Sequence, residues 1–101
     1  MKLIAVMSIE EYAGELRKIF SEHRVPVFSE TEINGYKLLP EMGEKDNWFS
    51  GKHTAVYSHI VFAFVEAQKA DELLSAIQEY CKQRDCANPI RAFQLSVEKF
   101  V

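Results

Sequence analysis

Residues 59–81 read HIVFAFVEAQKADELLSAIQEYC, and the change of period inside them decides the fold. From Ala55 to Val65 the chain is nearly continuous in apolar, β-branched and aromatic residues, the pattern of a strand buried on both faces. Beyond Glu66 the period becomes helical, with Ala70, Leu73, Leu74, Ile77, Tyr80 and Cys81 on one stripe. Subtracting 61 from each position gives Ile9, Tyr12, Ala13, Leu16, Ile19 and Phe20, a second helical stripe without a gap. The chain is therefore two copies of one strand–helix pattern.

Working outward completes both halves. Leu3 to Met7 is apolar on both faces, as a central strand requires. Ser8-Ile9-Glu10-Glu11 has the S-x-x-E form of a capping box, which predicts a helix starting directly after that strand. The helix is expected to end near His23, because Val25 precedes Pro26 and is pushed out of the helical region. Val25 to Tyr36 and Ile90 to Phe100 read as the closing strands of the two halves. In the latter, Phe93, Leu95 and Val97 alternate with Gln94, Ser96 and Glu98, the mark of a half-buried strand. The expected fold is α+β: a single domain over residues 1–101, a ferredoxin-like βαββαβ plait. It has a four-stranded antiparallel sheet, the first and third strands central and two helices on one face.

Such a plait leaves the other sheet face bare. On the third strand Val56, Ile60, Phe62 and Phe64 share one parity, and Tyr57, Val61, Ala63 and Val65 share the other, so both faces are apolar. Burying one large apolar side chain is worth ~1.5–3 kcal/mol, so several left in water predict self-association through the open face.

Composition narrows the functional classes. Hydrophobic residues make up 48% and charged residues 27%, an ordinary globular balance. A net charge of −3 without a basic stripe gives no electrostatic support for binding nucleic acid. The apolar run Leu3–Met7 is too short for a signal sequence or a membrane span, so a cytoplasmic protein is expected. Cys81 and Cys86 have neither zinc-ribbon nor thioredoxin spacing. Cys81 lies on the apolar stripe and reads as a core thiol, with a Cys81–Cys86 disulfide left open. Ser29, Ser50 and Ser58 lack an elbow sequence, and there is no H-E-x-x-H or P-loop. No enzyme is expected.

About seventeen residues between the second and third strands have no period. Loops beyond about 12–15 residues are uncommon in compact domains and are usually functional or disordered. This one carries the only tryptophan, Trp48, beside Phe49. Tryptophan is enriched at interaction hot spots, which favours a recognition element. His53, Tyr57 and His59 share strand parity. The two imidazoles would lie roughly 20 Å apart along an extended strand at about 3.3 Å per residue. They cannot chelate one metal within a chain, but either could converge with its copies around a symmetry axis.

Over nearly its whole length the chain resembles the PII-like signalling proteins, trimeric ferredoxin-like plaits typified by nitrogen regulatory PII. The carriers are MKLIAVMSIEEYAGELRKIFSEH (1–23), FSETEINGYK (28–37), the stretch quoted first, and the closing strand. The resemblance implies a homotrimer that senses a small ligand at clefts between subunits. It makes residues 37–53 the T-loop-like segment that displays a surface to a partner protein, a membrane transporter among the candidates. Gly35, Lys37 and Arg91 would then serve the ligand, and Trp48 and Phe49 the partner. The match departs from the adenine-nucleotide-binding members in two places. The position two after Gly35 is Lys37, not glycine, and the connection KQRDCANP (82–89) has no glycine at all. Phosphate nests depend on glycine, so ADP or ATP binding of the usual PII type is not implied here. Because some PII-like proteins are linked to metal efflux, a trimeric metal-binding or metal-tolerance protein using His53 or His59 is the alternative, with a divalent metal as ligand.

Overall fold

The structure, a computed structural model, describes residues 1–36, 57–84 and 90–101. Among these residues β1 (Lys2–Ser8) and β3 (His59–Val65) form the centre of a sheet. β2 (Ser29–Glu32) and β4 (Arg91–Ser96) form its edges, in the order β2-β3-β1-β4. All three pairings are antiparallel. With α1 (Ala13–Glu22) and α2 (Ala67–Arg84) the chain is the expected ferredoxin-like plait.

Strand alternation sorts the central side chains. Ile4 and Val6 of β1, with Val61, Ala63 and Val65 of β3, are buried against Leu16, Ile19 and Phe20 of α1 and Ala70, Leu73 and Ile77 of α2. Both helices therefore cover the same face. They run antiparallel. Tyr12, at the start of α1, meets Tyr80, near the end of α2, edge to face at 6.3 Å. At the other end Lys69 Nζ donates to the His23 carbonyl at 2.7 Å, closing the C-terminus of α1.

That terminus is a full Schellman motif. Arg24 N–H donates to the Ser21 carbonyl at 3.0 Å and Val25 N–H to the Phe20 carbonyl at 3.1 Å, while Val25 and Phe20 are both in the core. The left-handed position, φ 60°, is held by Arg24 where glycine is usual.

Several local expectations are corrected. Ser8 does not cap the first helix: it is the last residue of β1, fully buried, and its hydroxyl donates to the Ile9 carbonyl at 2.9 Å. The helical run instead opens with a 3₁₀ turn at Glu10–Tyr12, and the Glu10 N–H is satisfied by Ser58 Oγ at 3.1 Å. A hydroxyl from the far side of the long connection thus does the work assigned to Ser8. The edge strands are shorter than expected. β2 covers four residues of Val25–Tyr36, and β4 stops at Ser96 rather than Phe100. β3 begins at His59; of the expected start, positions 55 and 56 lie outside the described residues.

The uncovered face carries Leu3, Ala5 and Met7 of β1, Ile60, Phe62 and Phe64 of β3, and Phe93 and Leu95 of β4, which the registers bring side by side. Phe64 is 57% exposed and Leu95 49%.

Candidate functional site

The end of the sheet where β2 stops and β3 starts holds the described residues singled out in the sequence, Gly35, His59 and Arg91. Ser58 is its knot. Its N–H donates to the Ser8 carbonyl at 3.1 Å, its carbonyl accepts from Ile33 N–H at 3.0 Å, and its hydroxyl caps Glu10. The chain leaving β2 and the chain entering β3 are thus fastened together at Ile33 and Ser58, and both are tied to the end of β1. Residues 34 to 57 form the span between these two anchors.

Beside the knot lies a charged cluster joining three elements. Arg17 Nη1 of α1 donates to both oxygens of Glu30 of β2, at 2.7 and 2.8 Å. His59 of β3 meets Glu30 Oε2 through Nε2 at 2.8 Å. A carboxylate only accepts, so Nε2 carries the proton. His59 Nδ1 is buried and has no partner among the described residues. The hydrogen bond from His59, together with the bond and charge of Arg17, holds the Glu30 carboxyl below its ordinary value of 4.5, against the upward push of burial.

Gly35 and Arg91 lie at this same end but on opposite edges of the sheet. Gly35 follows β2, and Arg91 opens β4 in register with Met7. Three strand spacings of about 4.8 Å put the two edges roughly 14 Å apart. Within one chain Gly35 and Arg91 do not form a single pocket. Arg91 is solvent-exposed, and its charge acts on the phenol of Tyr57, which is 5% exposed. Burial pushes the Tyr57 hydroxyl above its ordinary value, and Arg91 offsets part of that rise.

His59 sits on the helix-covered side of the sheet, in the Glu30 cluster. Lys37, Trp48, Phe49 and His53 lie outside the described residues, as does Cys86. Among the described residues no group of three or more His, Cys, Asp or Glu side chains could hold a metal ion. No described helix is long and apolar enough to cross a membrane. Cys81 lines a groove of about 610 Å³ between α2 and β4, with Leu74, Ile77, Ile90 and Arg91.

Sequence reasoning missed Ser58, Glu30 and Arg17. By sequence Ser58 is only a nucleophile without an elbow, and no local pattern names a cap contributed from 48 residues away. Glu30 could have been noticed as a carboxylate whose parity places it on the helix side of an otherwise polar strand.

No protein-family model and no curated protein matches the chain. Solved structures do. A DUF3240 family protein from Shewanella baltica OS155 aligns with 99% of this chain and 92% of its own, at 15% identity and a TM-score of 0.67. CPII, a nitrogen regulatory PII-like protein from Thiomonas intermedia K12 bound to ADP, AMP and bicarbonate, aligns over 99% and 94%, at 12% identity and 0.61. A PII-like signalling protein from Thermus thermophilus aligns over 92% and 82%, at 12% identity and 0.63. Likeness at such identities is likeness of fold, and the fold of this chain is that of the PII-like proteins.

Proposed function

We propose that the protein is a non-enzymatic, PII-like regulatory trimer that senses a small anionic ligand between subunits and signals to a partner protein, a transporter among the candidates, through residues 37–53. The observation that carries this reading is the uncovered apolar sheet face of a PII-type plait, with Gly35 and Arg91 on opposite edges of one end. A site using both residues needs the β2 edge of one subunit beside the β4 edge of the next. Packing three open faces together brings such edges close and removes Phe64 and Leu95 from water. Lys37 would join Gly35 on one wall of the cleft and Arg91 would face them. Bound ligand would favour one arrangement of the 37–53 segment over others, and Trp48 and Phe49 would present the partner surface.

Ligand class follows from the cations. Arg91 and Lys37 suit phosphate, carboxylate or bicarbonate, and one structural neighbour is bound to ADP, AMP and bicarbonate. The glycine-free connection 82–89 argues for an anion held mainly by side chains rather than by a backbone nest.

Thermal denaturation with ADP, AMP, bicarbonate and divalent zinc or copper tests the reading. A ligand at about 100 times its Kd stabilises the folded state by about 2.7 kcal/mol. The expected result is a shift with a nucleotide or bicarbonate that is lost in Arg91→Ala. A shift with the metals alone, lost in His53→Ala or His59→Ala, would replace this reading with the metal-binding one.

A further inference from the structure

We infer that Arg17, Glu30 and His59 form a latch that seats the β2 edge, and with it Gly35, independently of the hydrophobic core. None of the four side chains of β2 is buried, and, unlike β4, which packs Ala92 against the core, β2 contributes no apolar side chain to it. The last apolar anchor before it is Phe28, whose ring packs on Phe20 at 5.3 Å. Thereafter the strand holds to the sheet through its ladder with β3 and through Glu30, the side chain bonded to both α1 and β3. Ser29 and Thr31 point to the open face, and Glu32 is exposed.

An edge strand with little buried apolar area belongs to the low-stability end of a protein, where local opening does not require the core to unfold. Its seating is then set by directional, charge-assisted bonds, which hold one geometry and release together when one member is lost. The latch lies outside the proposed ligand contacts. Gly35 is five residues past Glu30 and two past Ile33, so the position of Gly35 follows that of β2. Arg17 and Glu30 are thus positioning residues for that edge. His59 completes the latch from β3, the strand into which the long connection runs. The link to ligand sensing rests on the function proposed above; the latch does not.

Hydrogen exchange of the full chain, read by mass spectrometry on peptides covering β2, β1, β3 and β4, tests it without any ligand. Arg17 is half exposed, so Arg17→Met keeps its stem and removes only the fork. The expected result is faster exchange at residues 29–33 by about tenfold or more, with the central strands unchanged. Glu30→Gln should do the same, and Arg17→Lys should restore part of the protection. Unchanged β2 exchange in both disruptive variants would overturn the latch. So would equal acceleration in all four strands, which would make the cluster a general stabiliser. A wild-type protein that binds none of the tested anions would sink the proposed function and leave this result standing.

Discussion

Arg24 and Ser58 show how single residues set the joints of this plait. Arg24 takes a left-handed backbone that costs a residue with a Cβ about 1–2 kcal/mol relative to glycine. The Schellman bonds and the packing of Val25 on Phe20 outweigh that cost. Arg24→Gly is therefore expected to stabilise the fold by about 1 kcal/mol, raising Tm by about 4–8 °C in calorimetry. An unchanged or lower Tm would mean the Arg24 side chain contributes more than its backbone costs. Ser58→Ala removes the hydroxyl that caps Glu10 and should cost about 0.5–2 kcal/mol in urea denaturation, the usual worth of an N-cap. The S-x-x-E pattern names Ser8 for that role, because capping rules see only the neighbouring sequence. Ser8 is instead the final strand residue, and the chain entering β3 delivers the competing hydroxyl.

At the scale of elements, β1, β3 and the two helices are legible because their information is local and periodic. Apolar runs and the stripes related by a 61-residue offset place them, and the core forms where the stripes meet the sheet. The edge strands are less legible, since Ser29–Glu32 is polar and its seat depends on partners 13 and 29 residues away. Glu30 makes that dependence measurable. Its carboxyl is held below 4.5 in the folded chain, so on acidification the unfolded chain takes up the proton first. The stabilisation is present above that value and is lost as the pH falls through the depressed folded one. Denaturant titrations of the wild type and Glu30→Gln should differ near neutral pH and converge as the pH falls through the depressed folded value. A gap that stays constant across that range would show that the charge of Glu30 does not seat β2. The family resemblance names Gly35 and Arg91 as residues of one site, but only the strand order reveals that they occupy opposite edges.

For the whole molecule the open face is decisive. The helices bury one side of the sheet, while the other presents Leu3, Met7, Ile60, Phe62, Phe64, Phe93 and Leu95. Exposed apolar patches larger than a few hundred Å² are uncommon on monomers, and each large side chain gains ~1.5–3 kcal/mol on burial. Alternation on the third strand already shows both faces apolar, so this property is legible before any coordinates are known. Phe64→Glu places a charge on the open face, at an aromatic side chain that is more than half exposed. It should reduce the assembly to single chains without changing the far-UV spectrum of the plait, whereas an unaltered mass would place Phe64 outside any contact between chains. The most direct test is light scattering coupled to size exclusion on the wild type at micromolar concentration. The expected mass is three times the 11.6 kDa chain, whereas a stable species at the mass of one chain would contradict the proposed trimer and remove the cleft in which Gly35 and Arg91 would meet.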